Sequence, residues 1–282
     1  LHNNDVRLTS FYRENGLEYA LFCVIHETGH ALYEQDIDDE ITLTPIGGGA
    51  GMSMHESQSR LYENNFGRSK AFWKNLYPKI QEFFPEQLGH VTLDEFYGAI
   101  NYSEPGFIRT AADELTYPFH IMIRYEIEKM IFENDVDVMD LPNIWNQKYE
   151  EYLGIIPPTD AEGILQDMHW SGGMLGYFPS YALGSAIAAQ LYHHMNKEMP
   201  LETYLEEGNL KPIQEYIPLV YLCVSRSILR ASIHFLSKSR KSPESLSTSM
   251  SDNFPNILWK SFEVDFLITL CSRNLLLPKT SS

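Results

Sequence analysis

A mainly α fold, with one short β hairpin, follows from three features of this 282-residue sequence. Apolar residues recur at three- and four-residue spacing through most of the first 216 positions, which puts them on one face of successive helices. No stretch alternates polar and apolar residues long enough to support a large sheet. Ser53, with Glu56 three residues on, and Gly67 bracket one segment with a capping box and a stop signal.

The elements follow in chain order. Leu17, Ala20, Leu21, Val24 and Ile25 define a helix from Leu17 to about Asp36. Residues 37–51 (IDDEITLTPIGGGAG) change character, with a β-prone Ile-Thr-Leu-Thr stretch, a proline and then glycines, and read as the hairpin or a loop. A second helix is expected from Ser53 to Phe66. Further helices are expected at 69–83, 93–100, 110–134, 143–152, 180–196 and 201–206, with Pro118 kinking the one that contains it near Leu115. Residues 154–164 (GIIPPTDAEGI) read as a loop, and no internal repeat is present.

Composition bounds the function. A chain that is 44% hydrophobic and 21% charged is an ordinary globular protein, too apolar for disorder. Its longest apolar runs, such as Ile217–Val224, fall far short of the roughly 18 residues a membrane helix needs. A net charge of −17 without a basic stripe argues against a nucleic-acid partner. Cys23, Cys223 and Cys271 are too few for a disulfide framework, so a reducing, cytoplasmic setting is expected. No signal peptide is visible and the chain opens on Leu1, which reads as a piece of a longer protein. Residues 1–216 carry 13 basic and 34 acidic side chains, whereas 217–282 carry 8 and 4 together with 14 serines. This change of sign and composition reads as a boundary between a main portion, 1–216, and a Ser-rich tail, 217–282, that is either flexible or aberrant.

The strongest chemical signal is His26-Glu27-Thr28-Gly29-His30. Positions i and i+4 lie one turn apart on one helix face, so both imidazoles can reach one metal ion. Glu27 is offset toward the open side, where it can take a proton from water activated at the metal. A catalytic zinc takes three protein ligands and keeps one position open. Glu56, on the next helix, is the best candidate for the third ligand. Arg60 lies one turn beyond it and is placed to hold a neighbouring carboxylate. Glu34, one turn beyond His30, is the alternative, although that position faces solvent.

These residues resemble the carboxypeptidase Taq family of zinc metallocarboxypeptidases. The match runs through HETGHALYEQ and HESQSRLYEN, and four further stretches agree with it. These are Asp5, Arg7 and Thr9 (D-x-R-x-T), the segment IRTAADELTY with Arg109 and Asp113, Gly163 to Trp170 (G-x-x-Q-D-x-H-W), and GYFPSYALG at 176–184. The likeness covers residues 1–216. It implies a multi-helix metallopeptidase catalytic fold, one Zn2+ on His26, His30 and Glu56, and Glu27 as general base. It also implies homodimers of the full-length protein and removal of single C-terminal residues from peptides with broad preference. Arg109 becomes a candidate for gripping the substrate carboxylate, against the alternative of an ion pair with Asp113 one helical turn away. His169, Tyr177 and Tyr181 fall in segments resembling the family's active-site wall, where an N–H or O–H can stabilise an oxyanion. His55 either orients a ligand or packs, His193 and His194 read as surface residues, and Asp5 with Arg7 reads as a structural pair supporting the metal helix.

Members of that family are about twice this length, and the part without a counterpart here precedes Leu1. Beyond Tyr216 no correspondence remains, although amphipathic segments are expected near 217–236 and 257–277. Two alternatives therefore stand beside the carboxypeptidase: a zinc oligopeptidase with endopeptidase action, and a zinc-binding fragment without turnover.

Overall fold

A computed structural model of the chain describes residues 3–44, 47–133 and 136–221. Helix α1 (Leu17–Gln35) carries the His-Glu pair and is followed by α2 (Met52–Arg60). Beyond Arg60 the α2 helix widens into π-helical turns over Leu61–Phe66, which stop at Gly67. Next come α3 (Lys70–Phe83), α4 (Pro85–Leu88) and α5 (Leu93–Ile100). A 3₁₀ turn at Arg109–Ala111 precedes α6 (Tyr117–Glu133), which is followed by α7 (Leu141–Leu153), α8 (Pro179–Glu198) and α9 (Leu201–Glu207). Residues 211–221 are helical, and the expected amphipathic segments beyond them lie outside the described residues.

The expected β hairpin is absent. Among the described residues there is no strand, only an isolated bridge between Arg13 and Gly16. The 37–44 segment closes instead as consecutive turns, with Ile41 N and Thr42 N donating to Asp38 O at 3.0 Å and Thr44 N to Ile41 O at 2.8 Å. The Asp38 carboxylate also accepts from Glu40 N. Side-chain capping of this kind competes with ladder formation, and a ribbon of four-residue arms has little to hold it open.

Two helix starts also differ from expectation. The N-cap of α2 is Gly51 (φ 101°) with no side-chain cap, so Ser53 and Glu56 form no capping box and the Glu56 side chain serves elsewhere. The helix expected over 110–134 with a kink at Pro118 instead begins at Tyr117, with Pro118 in the first turn where its missing N–H costs nothing. Asp113 builds that start by accepting from Leu115 N (2.9 Å), Thr116 N (3.0 Å) and Thr116 Oγ1 (2.8 Å). The α3 and α5 starts are capped as their sequences suggest, by Ser69 and by a Thr92–Glu95 capping box.

Two compact units are distinguished, Leu1–Ala188 and a second from Ala189 onward. In the first, Phe22 of α1 packs with Trp73, Tyr77, Phe96 and Ile100 of α3 and α5, which anchors the helix one turn before His26. A second core joins Ile123 and Ile127 of α6 to Trp145, Tyr149 and Leu153 of α7, and a third joins Tyr117 and Ile121 to Phe178. In the second unit Leu191, Met195, Leu201, Leu205, Ile213 and Ile217 are buried. His193 is exposed as expected, but His194 is buried, stacked on Tyr216 with its Nε2 3.1 Å from the phenol oxygen. It is a packing residue there, not a surface one.

Candidate metal centre

Helix α2 is polar in sequence (MSMHESQSR) yet buries Glu56, Ser57, Gln58 and Ser59. The small serines return their hydroxyls to the helix itself, Ser57 Oγ to Met54 O at 2.7 Å and Ser59 Oγ to Glu56 O at 2.8 Å. Two glycines explain how closely it is packed. A Cβ on Gly29 of α1 would lie 2.6 Å from Ser59 Cα, and one on Gly184 of α8 would lie 2.6 Å from Glu56 Cγ. Any larger residue at either position would push α2 away from its neighbour.

This close approach brings together the residues expected as metal ligands. One donor atom each from His26, His30 and Glu56 lie within 4.8 Å of one another. Glu56 Oε2 is 3.4 Å from His30 Nε2 and 3.8 Å from His26 Nε2. A tetrahedral zinc with bonds near ~2.1 Å has ligand–ligand edges near ~3.4 Å, so the Glu56–His30 edge matches a divalent ion and the other edges would have to close onto it. Arg60 donates Nε to the other oxygen, Glu56 Oε1, at 2.9 Å, as its position one turn on suggested. Burial alone opposes ionisation of Glu56, but the His30 bond and the Arg60 and His26 charges bring its pKa down to about 2.

Around this set lies a layer that sequence reading missed or left open. The π turns carry Glu63 beneath His26, whose Nδ1 lies 2.8 Å from Glu63 Oε2, and Arg60 Nη1 holds the same oxygen at 3.2 Å. Glu63 stays ionised despite burial, chiefly because of the Arg60 charge. His30 Nδ1 lies 2.6 Å from His55 Nδ1, and His55 Nε2 lies 2.7 Å from Glu34 Oε1. Glu63 was legible only as an acid three residues after Arg60. Its approach to His26 depends on the widened helix, which no local pattern announces.

Glu27 is half-buried and faces two cavities of about 450 Å³ each. One is lined by His26, Glu56, Arg60, Arg109 and Tyr181. The other is lined by His30, Glu34, His55, Arg7 and Gly47. Arg109 is therefore in the site, but not paired with Asp113. Its Nη2 and Nε bind Asp167 at 2.7 and 3.1 Å, and its Nη1 binds Tyr117 Oη at 3.1 Å. Arg109 lies in the 3₁₀ turn and Asp113 in the irregular stretch between it and α6, so the one-turn spacing assumed for that ion pair does not exist. Asp167 also binds Arg124 Nε at 2.7 Å, holding two buried guanidiniums on one carboxylate. From the sequence Asp167 stood out only as part of the G-x-x-Q-D-x-H-W motif, without a role, and Arg124 not at all.

Tyr181 stacks against Arg109, with the guanidinium carbon 4.7 Å from the ring centre, and its hydroxyl lies 2.9 Å from His169 Nε2. Tyr177 packs against both, 5.4 Å from the Tyr181 ring and 5.3 Å from His169. Of these three, Tyr181 lines the metal-side cavity and the other two stand behind it. Asp5 and Arg7 do pair, Nε to Oδ1 at 2.8 Å, with both side chains exposed, and Arg7 lines the second cavity together with His30 and Glu34 of α1.

Comparison with known proteins agrees with this geometry. A family model described as carboxypeptidase Taq (M32) metallopeptidase matches residues 1–221. Carboxypeptidase 1 of Bacillus subtilis (strain 168) is 56% identical over 218 residues, which is 77% of this chain and 44% of that protein. Thermostable carboxypeptidase 1 of Thermus thermophilus is 42% identical over 213 residues, 75% of this chain and 42% of that protein. The crystal structure of an M32 carboxypeptidase from Deinococcus radiodurans R1 superposes with a TM-score of 0.75 at 40% identity, covering 78% of this chain and 44% of that one. The chain thus spans less than half the length of the relatives it matches.

Proposed function

This chain belongs to the carboxypeptidase Taq (M32) metallopeptidase family, and we propose that it is a zinc-dependent carboxypeptidase that hydrolyses the C-terminal peptide bond of peptides with broad preference. The observation that carries this reading is the convergence of His26, His30 and Glu56 beside Glu27, with Arg109 and Tyr181 on the same cavity as Glu56. Membership in a metallopeptidase family implies a divalent metal, and the two imidazoles and one carboxylate would hold it. Zinc bound there would polarise the scissile carbonyl and acidify water.

The chain's own residues supply the rest. Glu27 takes the proton from the attacking water and returns it to the leaving amine, a transfer its place between both cavities permits. Arg109 uses three of its five N–H groups on Asp167 and Tyr117, which leaves two for the substrate's terminal carboxylate. In the tautomer where His169 donates its Nε2–H to that oxygen, the Tyr181 O–H, which also meets the Tyr177 hydroxyl, can turn to the developing oxyanion. Tyr177 holds the Tyr181 ring. The catalytic portion is residues 1–216, with the 217–282 tail outside it, and the full-length protein is a homodimer of the reducing cytoplasm. No helix among the described residues is long and apolar enough to cross a membrane.

A second reading, a chain that binds zinc without turnover, is favoured by the 44% of the relatives' length that is matched. One experiment separates the readings. The protein is given zinc and a peptide mixture, half of it amidated at the C-terminus, and masses are followed with and without a chelator. Stepwise C-terminal losses confined to free-carboxylate peptides, stopped by the chelator and absent in Glu27→Gln, are expected. Cleavage of the amidated peptides would establish endopeptidase action instead, and silence of a zinc-loaded protein would establish the second reading.

A further inference from the structure

The imidazole of a neutral histidine has one N–H and one lone pair, and only the lone pair can take a metal. Both histidines of the centre turn Nε2 toward Glu56 Oε2. To offer that lone pair to a metal held together with Glu56, each must carry its proton on Nδ1. The structure shows what meets each Nδ1, and the two arms differ in chemistry.

On His26 the partner is the Glu63 carboxylate, an obligate acceptor, itself fixed by Arg60. On His30 it is another imidazole, His55, at 2.6 Å between the two Nδ1 atoms, a separation that admits one proton. An imidazole has no fixed preference between donating and accepting, and Glu34 supplies one. Its carboxylate at 2.7 Å from His55 Nε2 accepts only, so the His55 proton sits on Nε2 and its Nδ1 is left as a lone pair. His30 Nδ1 then donates to His55, which frees the Nε2 lone pair for a metal in place of the bond to Glu56. The His55 ring is held for this from both sides, 4.6 Å from the rings of His30 and Tyr33. Tyr33 is fixed in turn by Ala50 N, which donates to its hydroxyl at 3.1 Å.

We propose that Glu34 and His55 on one arm, and Glu63 on the other, are positioning residues that lock His30 and His26 into the one tautomer able to bind metal. The inference rests on the reading of His26, His30 and Glu56 as the metal centre. It gives Glu34, which is not among the converging donors, a part at the centre: it acts on the metal through two hydrogen bonds.

The test needs no turnover. In the metal-free protein with 15N-labelled imidazoles, long-range nitrogen–proton correlation should find His26 and His30 as Nδ1–H tautomers and His55 as the Nε2–H tautomer. A His30 proton on Nε2 would overturn the proposal. Glu34→Gln keeps size and hydrogen bonding but lets either tautomer of His55 form, and His55→Phe keeps ring volume but removes the acceptor. Zinc affinity, measured by competition with a chromophoric chelator, should fall about 10- to 100-fold in His55→Phe and Glu63→Gln, as for other partners of ligand imidazoles, and by a smaller factor in Glu34→Gln. The melting temperature of the metal-free protein should not follow these losses. Glu34, with 39% of its side chain exposed, keeps the test open should His55→Phe fail to fold. Affinities within twofold of the parent in Glu34→Gln and His55→Phe would overturn the relay while Glu56→Ala still loses zinc. Retention of zinc by Glu56→Ala as well would overturn the metal-centre reading itself.

Discussion

The Asp167 carboxylate faces two buried guanidiniums, and its charge is what makes their burial tolerable. Asp167→Asn should destabilise the metal-free protein by about 3–5 kcal/mol, because it leaves two arginines without a counter-charge, and urea unfolding would measure the loss. A change below about 1 kcal/mol would mean that the pair is solvated in a way its burial denies. His120 gives a second residue-scale expectation. Burial, with Arg124 and Arg109 nearby, lowers its pKa from 6.5 to about 3, so the folded state keeps it neutral while the unfolded chain protonates it. Between pH 6.5 and about 3 the unfolded state binds more protons here. Stability should therefore fall on acidification, by up to about 1.4 kcal/mol per pH unit from this group. His120→Phe should flatten that part of the profile, and a profile that is unchanged would place the titration elsewhere. At this scale the juxtaposition of His26 and His30 was legible from spacing alone, because a helix fixes where i and i+4 point, and the structure brings Glu56 of α2 to them. The partner of Arg109 was not, since Asp167 lies 58 residues away and only the fold brings it near.

Helix α2 shows what the middle scale adds. Its sequence has no apolar stripe, so amphipathicity offers no reason for it to be buried, yet it is held between Gly29 and Gly184. Gly29→Ala would set a methyl group against Ser59 backbone and force α1 and α2 apart, at a cost of about 1–3 kcal/mol. Gly184→Ala would meet the Cβ and Cγ of Glu56, and should weaken zinc binding by roughly tenfold while costing less stability. Calorimetry and zinc titration on both variants would check this split. Equal zinc affinity in parent and Gly184→Ala would show that Glu56 can move without consequence. Most helices were legible from periodicity and caps, as at Ser69 and Thr92. The hairpin was misread because the β-prone 41–44 stretch follows acids whose side chains favour turns. The start of α6 was misread because Pro118 was weighed as an interruption although proline is equally at home in a first turn.

At the scale of the whole molecule, residues 1–221 match the family while the charge changes sign near residue 217. Nothing local in the sequence separates a binding chain from a catalytic one, because the proposed metal centre lies within 38 residues from His26 to Glu63, whereas the proposed substrate site draws on Arg109, Asp167 and Tyr181 from distant segments. Metal binding is therefore the claim on which both functional readings depend, and the coordination sphere tests it most directly. X-ray absorption at the zinc edge of the loaded protein should show two imidazoles near ~2.0–2.1 Å with the remaining shell oxygen, from Glu56 and water, and Glu56→Ala should lose the metal. A third imidazole would mean that His55 ligates instead of relaying, a sulfur near ~2.3 Å would bring in Cys23, and either result would contradict the centre described here.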